Sequence, residues 1–85
     1  MNQSYSAKER AHIEAVKSLP CSICDAPAPS EAHHVDQSCP WTAIALCQSC
    51  HRDGHNGWHG RRAMWRIKKM VEIDALGVTV QRLMA

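Results

Sequence analysis

Two short cysteine pairs constrain the fold of this chain more than any other feature of its sequence. The pairs are Cys21-Ser-Ile-Cys24 and Cys47-Gln-Ser-Cys50, and 22 residues separate them. Each C-x2-C pair can place two thiolates on one side of a tetrahedral ion, as in structural zinc sites. The sequence therefore predicts one zinc ion held by four cysteines.

The composition is that of a chain that needs such an ion. The 85 residues are enough for a single small domain, and they include no Phe and only 5% aromatic residues. A domain of this size buries only about 60% of the surface of its unfolded chain, so its core alone contributes little stability. Cys39 is a fifth cysteine outside the pairs, most simply a small buried or half-exposed residue, with a substitute ligand as the alternative.

The cellular setting follows from the same residues. An odd number of cysteines and the lack of an export signal argue against a disulfide framework, so we expect a cytoplasmic protein. No apolar run approaches the roughly 20 residues of a membrane span, and we expect no membrane partner.

Local patterns predict a small α+β domain in which a zinc-stapled core is flanked by an N-terminal and a C-terminal helix. Ser6 and Glu9 have the spacing of a capping box at the start of the first helix, and Gly77 is a plausible end of the last one. The tail 78–85 fits either a strand or a last helical turn. The predicted elements are a helix over 7–19, strands over 30–35 and 42–46 that form a hairpin, and a helix over 61–76.

These elements form one domain, 1–85, with three parts. They are the N-terminal helix in 1–20, the zinc-bearing core in 21–60, and the basic helix and tail in 61–85.

The histidines are patterned with respect to the cysteine pairs. His33 and His34 are adjacent on the first predicted strand, where neighbouring side chains point to opposite faces. One can therefore bind a metal ion while the other faces elsewhere. His51 follows the last zinc cysteine, and His55 is four residues further on, a spacing that places both on one face of a helix.

His59 continues this series, although Gly54 and Gly57 make an unbroken helix through it doubtful. The plain alternative for any one of these histidines is a surface group or a neighbour of the zinc ligands.

The charge of the chain is unevenly distributed. Residues 51–69 carry a net charge of +5, and the rest of the chain carries −3. A one-sided basic stretch beside histidines is typical of contact with a phosphate backbone, and a solvated helix face is the alternative. We expect Trp65 in the core, and Trp58 either packed or stacked on bases. The candidate nucleic-acid-binding residues are Arg52, Arg61, Arg62, Arg66, Lys68 and Lys69.

Taken together, these motifs resemble those of a known nuclease family. After the first C-x2-C come Ala32-His33-His34-Val35 and then Ala45-Leu46-Cys47-x2-Cys50-His51. This order resembles the zinc-stapled HNH (His-Me finger, ββα-metal) endonucleases. The run Ile44-Ala-Leu-Cys-Gln-Ser-Cys-His51, followed by His59-Gly60 and a basic helix, is similar to phage nucleases of the recombination-enhancement, RecA-dependent type. The resemblance covers about residues 21–69.

The resemblance implies a ββα-metal, treble-clef-like core and a role for each matched residue. His33 would be a ligand of a catalytic ion and His34 the general base. His51 would be a second ligand, and His55 would complete the set, with His59 as the alternative. The middle Asn of the family pattern is replaced here by Thr42, whose hydroxyl would have to hold the loop of the base histidine.

The function implied is metal-dependent hydrolysis of DNA with little sequence preference. The expected cofactors are one structural zinc ion and one catalytic divalent ion: Zn, Ni, Mn or Mg. The expected setting is a bacterial or phage-encoded protein that acts on DNA, beside recombination proteins or as a homodimer. The alternatives are a non-catalytic zinc-finger DNA-binding module on the same scaffold and a protein-interaction zinc domain, which would leave the local +5 unexplained.

Overall fold

The computed structural model describes residues 4–85 as an α+β domain with one two-stranded hairpin. None of the helices in this range has the length and apolar character needed to cross a membrane. The predicted α+β class and hairpin are confirmed. The elements are α1 (Ala7–Lys17), β1 (Glu31–His34), a short 3₁₀ helix (Pro40–Thr42), β2 (Ala43–Leu46), α2 (Gln48–Arg52), α3 (Ala63–Lys68) and α4 (Glu72–Met84).

Helix α1 begins where the sequence predicted. The Glu9 backbone N–H donates to Ser6 Oγ at 3.1 Å, and the Ser6 N–H donates to Glu9 Oε1 at 2.7 Å. These reciprocal bonds satisfy two amide groups that have no partner within the first turn. The helix ends at Lys17, two residues earlier than predicted.

The register of the hairpin decides which side chains share a face. Strands β1 and β2 are antiparallel, with Glu31 opposite Leu46 and His34 opposite Ala43. Directly opposed residues project to the same side of a sheet, and neighbours along a strand project to opposite sides. One face therefore carries Glu31, His33, Ile44 and Leu46, and the other carries Ala32, His34, Ala43 and Ala45.

Different elements cover the two faces. Ile44 and Leu46 belong to a buried cluster with Trp65 of α3 and Ala75 of α4. On the opposite face, Ala43 and Ala45 pack against Val16 of α1. The hairpin is thus enclosed between α1 and Leu83 of α4 on one side and the cysteine loops, α3 and Ala75 of α4 on the other. His33 and His34 accordingly enter different halves of the molecule.

The predicted helix over 61–76 is wrong, because the chain breaks into α3 and α4. Lys69 takes a left-handed backbone conformation, with φ 57° and ψ 44°, and ends α3. Trp65 and Ala75 are ten residues apart, which on one straight helix would separate them by about 15 Å along the axis. The break lets both side chains enter the same cluster.

Helix α4 also differs from the prediction at its other end. Gly77 lies inside the helix, which continues to Met84, so the ambiguous tail is helical. The Asp74 carboxylate accepts the Val71 N–H at 2.9 Å at the start of the helix.

Thr79 fixes α4 to the hairpin and to the first cysteine loop. Its side chain is fully buried. Its hydroxyl oxygen accepts the Ala45 N–H at 3.2 Å, donates to the Ala75 carbonyl at 3.1 Å, and lies 2.7 Å from Ser22 Oγ. One hydroxyl thereby joins β2, α4 and the loop that carries Cys21 and Cys24.

We predict that Thr79→Val destabilises the protein by about 1–3 kcal/mol, because the Ala45 N–H loses its buried acceptor while the side chain keeps its shape. Urea unfolding with saturating zinc measures the change in the free energy of unfolding. The control is Val80→Thr, the opposite substitution at the next residue. Because Val80 is exposed, this variant should change the free energy of unfolding by less than about 0.5 kcal/mol. Equal stability of the Thr79 variant and the wild type would contradict this role.

Candidate functional site

The four paired cysteines converge on one point. Their sulfur atoms all lie within 4.8 Å of one another, and the Cys24 and Cys47 sulfurs are 3.6 Å apart. Two thiolates bound to one tetrahedral zinc ion at about 2.3 Å would be about 3.8 Å apart. The predicted four-cysteine site is confirmed as a cluster that could hold a structural ion such as zinc.

Backbone groups and burial prepare this cluster for a cation. The N–H groups of Ile23 and Cys50 each donate to a cysteine sulfur at 3.4 Å. Arg82 of α4 donates to the carbonyl oxygens of Pro20 and Cys21 and pairs with Asp25, which holds the first cysteine loop in place.

Burial raises the pKa of the Cys24 and Cys50 thiols. Four thiolates so close together would also repel one another, and the charge of a bound ion would stabilise them.

We predict that removal of the metal unfolds the domain. A structural zinc ion contributes about 10–16 kcal/mol in small zinc-binding peptides, more than a core of this size supplies. Circular dichroism during heating, before and after complete chelation, measures the effect. Cys47→Ser should behave like the chelated protein, whereas Cys39→Ser should melt like the wild type because Cys39 lies outside the cluster. A sharp thermal transition without bound metal would contradict the prediction.

A second cluster consists of three histidines from three parts of the chain. His33 of β1, His51 of α2 and His59 of the following loop have ring nitrogens within 4.8 Å of one another. His33 is buried, His51 is half-buried and His59 is exposed, so the cluster opens to solvent on the His59 side. His55, the residue favoured to complete the set, is exposed and lies outside the cluster, and His59 takes its place.

The helical H-x3-H arrangement is wrong because α2 ends before His55. Asp53 is extended, with ψ 139°, and its carboxylate accepts the N–H groups of His55 and Asn56. The chain then folds back along α2, where the His59 N–H donates to the His51 carbonyl at 3.3 Å. This return places the His59 ring beside the His51 ring, with 5.1 Å between their centroids.

Two glycines permit the return of the loop. A Cβ atom on Gly57 would lie 2.5 Å from the Asp53 carbonyl oxygen, and one on Gly60 would collide with the Gly54 carbonyl. Only glycine allows these close approaches. Gly57 and Gly60, on either side of His59, are the sequence signal that could have favoured His59 over His55.

Two glutamates that the sequence did not predict contact the rings of His33 and His51 on the side away from the cluster. Glu72 Oε2 lies 2.6 Å from His33 Nε2, and Glu31 Oε1 lies 2.7 Å from His51 Nδ1. Glu31 was detectable, because it is two residues before His33 and so shares its face of the strand. Glu72 comes from α4, 39 residues away in sequence from His33, and no local pattern indicated it.

These contacts leave two lone pairs facing each other. A neutral imidazole has one N–H group, and this group donates its hydrogen bond to the neighbouring carboxylate. His33 Nδ1 and His51 Nε2 then both present lone pairs at a separation of 3.3 Å. Two imidazole nitrogens on one tetrahedral zinc ion at about 2.0–2.1 Å would be about 3.3–3.4 Å apart. The donor set and its spacing therefore fit a shared cation.

The burial of His51 favours the neutral form of its ring, which can bind a metal ion. Burial lowers the pKa of His51 despite the opposing effect of Glu31, so the ring tends to be neutral. Glu31 is also bound through two oxygens by Arg52, at 3.0 and 2.5 Å, and these hydrogen bonds hold the pKa of Glu31 below its usual value. Arg52, predicted to contact nucleic acid, is thus engaged within the site.

His34 lies on the opposite face of the hairpin and is not part of the cluster. Its Nε2 atom is buried and has no hydrogen-bond partner in residues 4–85, as is also true of His12 Nε2 on α1. The Thr42 hydroxyl lies in the loop that follows His34, where it accepts the Asp36 N–H at 3.0 Å and donates to the Cys39 carbonyl at 2.8 Å. The general-base role of His34 stays a prediction.

We predict that His34 makes the protein less stable as the pH falls below about 6.5. Burial, together with the nearby His12, holds the pKa of His34 below its ordinary 6.5. The unfolded chain therefore binds this proton at higher pH than the folded protein does, and stability is lost as the pH falls from 6.5 toward the lower folded value.

Urea unfolding with saturating zinc measures the free energy of unfolding at pH 7 and at about pH 5. Between these values it should fall less for His34→Gln than for the wild type. His55→Gln, at an exposed histidine, is the control and should follow the wild type. Equal losses in all three proteins would rule out the effect.

The basic stretch divides into engaged and exposed side chains. The Arg62 guanidinium lies 3.6 Å from the centre of the Trp58 ring and donates to the Trp58 carbonyl. Trp58 also packs against Trp65, which is buried as predicted. Apart from Arg62, the basic side chains of residues 51–69 that are exposed and form no ion pair within residues 4–85 are Arg61, Arg66, Lys68 and Lys69.

No protein-family model, no curated protein and no solved structure matches this chain. The resemblance to HNH endonucleases therefore rests on the sequence motifs.

Proposed function

We propose that the protein is a metal-dependent DNA endonuclease of the HNH type, with a ββα-metal core made of the β1–β2 hairpin and α2. The observation that carries the proposal is the three-histidine cluster, in which His33 Nδ1 and His51 Nε2 are 3.3 Å apart. Both nitrogens keep a free lone pair when Glu72 and Glu31 accept the N–H groups of the two neutral rings. A cluster with three protein ligands leaves a coordination position for substrate, unlike a closed structural site.

The residues of the cluster fit a divalent ion. Imidazole ligands suit Zn, Ni or Mn better than Mg, which prefers oxygen. A bound ion would neutralise charge on a phosphate oxygen and stabilise the departing 3′ oxygen. His33 and His51 are held by carboxylates inside the domain, while His59 lies at the exposed edge where a phosphodiester can approach.

Two histidines, His34 and His55, are candidates for the general base. His34 matches the family motif, but its side chain faces α1 rather than the cluster. His55 is exposed on the loop that also carries His59. Because a positioned general base contributes about 10²–10⁴-fold to a rate, substitution of each histidine distinguishes the two.

The substrate assignment rests on charge. Residues 51–69 carry +5, and the exposed side chains Arg61, Arg66, Lys68 and Lys69 lie in and near α3, next along the chain from His59. Contacts to phosphates supply affinity without sequence information, so we propose DNA binding with little sequence preference.

A non-catalytic zinc-finger DNA-binding module is the second candidate. The position of His34 away from the cluster favours it, as does the replacement of the family Asn by Thr42. This candidate needs only the four-cysteine ion, whereas an endonuclease needs a second one.

We predict two bound ions per chain and nicking of plasmid DNA with added Mn or Ni. His59→Ala should keep the cysteine-bound zinc and the fold, but lose the second ion and at least about 100-fold of the cleavage rate, because the charge stabilisation supplied by the ion is lost. His34→Ala and His55→Ala are compared in the same assay, and the one that is the general base should slow cleavage with both ions still bound.

Metal analysis and gel assays of nicked plasmid give the result. One ion per chain together with salt-sensitive DNA binding and no cleavage would favour the zinc-finger module. Wild-type cleavage by His59→Ala would overturn the assignment of the site.

A further inference from the structure

Glu72 is placed at the histidine cluster by an element that contributes nothing else to it. It lies in the first turn of α4, which Ala75 and Thr79 anchor in the core. The side chain of Glu72 is 26% exposed, and that of His33 is 5% exposed, so their 2.6 Å contact is largely shielded from water. A hydrogen bond to a charged group is worth more in such a setting than at the surface.

We propose that Glu72 is the positioning residue that makes His33 a metal ligand through Nδ1. The proposal deepens the proposed function and rests on its three-histidine ion site. Neutral imidazole exists in two tautomers, and a carboxylate at Nε2 selects the one with its proton on Nε2. The lone pair of Nδ1 then faces His51 and the ion, and the negative charge of the carboxylate makes that nitrogen a stronger donor.

The direction of the contact separates this role from direct ligation. Glu72 Oε2 touches Nε2 of His33, whereas Nδ1 of the same ring faces His51. The two nitrogens of an imidazole point away from each other, so Glu72 lies behind the ring. The set of mutually close ligand atoms accordingly contains His33, His51 and His59 without Glu72.

Glu72 should matter more than its counterpart Glu31. Glu31 shares its charge between His51 and Arg52. Glu72, within residues 4–85, forms an ion pair with His33 and with no lysine or arginine. Its charge is therefore directed at one imidazole, and removal of Glu72 takes from the site a charge that no lysine or arginine ion pair within residues 4–85 already balances.

The test is the affinity of the histidine site for Co(II). The full chain is loaded with one equivalent of zinc to fill the cysteine site, and Co(II) is then titrated while its visible absorption is followed. We expect Glu72→Ala to bind Co(II) about 10–100-fold more weakly than the wild type, the usual effect of losing a carboxylate behind a ligating histidine. The Co(II) affinity of Glu72→Gln should lie between those of Glu72→Ala and the wild type. The glutamine amide oxygen still accepts the His33 N–H but carries no charge.

Asp74→Asn is the matched control. Asp74 is in the same helical turn, carries the same charge and caps Val71 rather than a histidine. Asparagine is an equally good cap, so this variant should bind Co(II) within about twofold of the wild type. A loss in Asp74→Asn as large as in Glu72→Ala would overturn the proposal, because general charge would then explain both.

A second measurement does not involve the second ion. In the zinc-loaded chain without Co(II), nitrogen NMR of the His33 ring should show the proton on Nε2 in the wild type and a mixture of tautomers in Glu72→Ala. A purely structural ion pair would lower the melting temperature without changing Co(II) affinity in the folded protein. If Glu72→Ala does not fold, the Co(II) titration and the NMR measurement are made on Glu72→Gln.

The outcomes separate this inference from the proposed function. Weaker Co(II) binding by the Glu72 variants supports the positioning role even if the wild type cuts no DNA. Wild-type Co(II) affinity and an unchanged tautomer in both Glu72 variants overturn it, even if the wild type is an active nuclease.

Discussion

Convergence of the four cysteine sulfurs is the constraint on which the other features of this domain depend. One of the loops that carry them precedes the hairpin in the chain and the other follows it, and Cys21 and Cys50 are part of the same buried cluster as Ile44, Leu46 and Trp65. The site therefore lies inside the core, where a larger protein would have only apolar side chains. Cys47 also begins α2, so the position of His51 is set by the same cluster.

The sequence predicted those parts of the fold that local chemistry determines. The capping box at Ser6 and Glu9, the hairpin and the four-cysteine cluster all follow from residues close together in the chain or from a strict ligand spacing. The break between α3 and α4 was not predictable from periodicity, because it satisfies the burial of Trp65 and Ala75 in one tertiary cluster. Helical propensity was overridden by packing at this point.

The candidate site was predictable to a similar extent. His33 and His51 were identified from their positions relative to the cysteines, and His59 was retained as an alternative to His55. The choice between the last two depended on whether the chain continues as a helix or turns back, which Asp53 and the close backbone contacts of Gly57 decide. Glu72 reaches the site from the far end of the chain, and only the folded arrangement of α4 reveals it.

The alternation of side chains along β1 limits where the protein can tolerate insertions and deletions. His33 and His34 are neighbours in the chain, but one contributes to the metal-binding half and the other to the half packed on α1. A one-residue slip between the strands would exchange them, turning His34 toward His51 and sending His33 toward Val16. Insertions or deletions within this strand are therefore far more damaging than most point substitutions, and length changes should be accommodated in the loop between the strands.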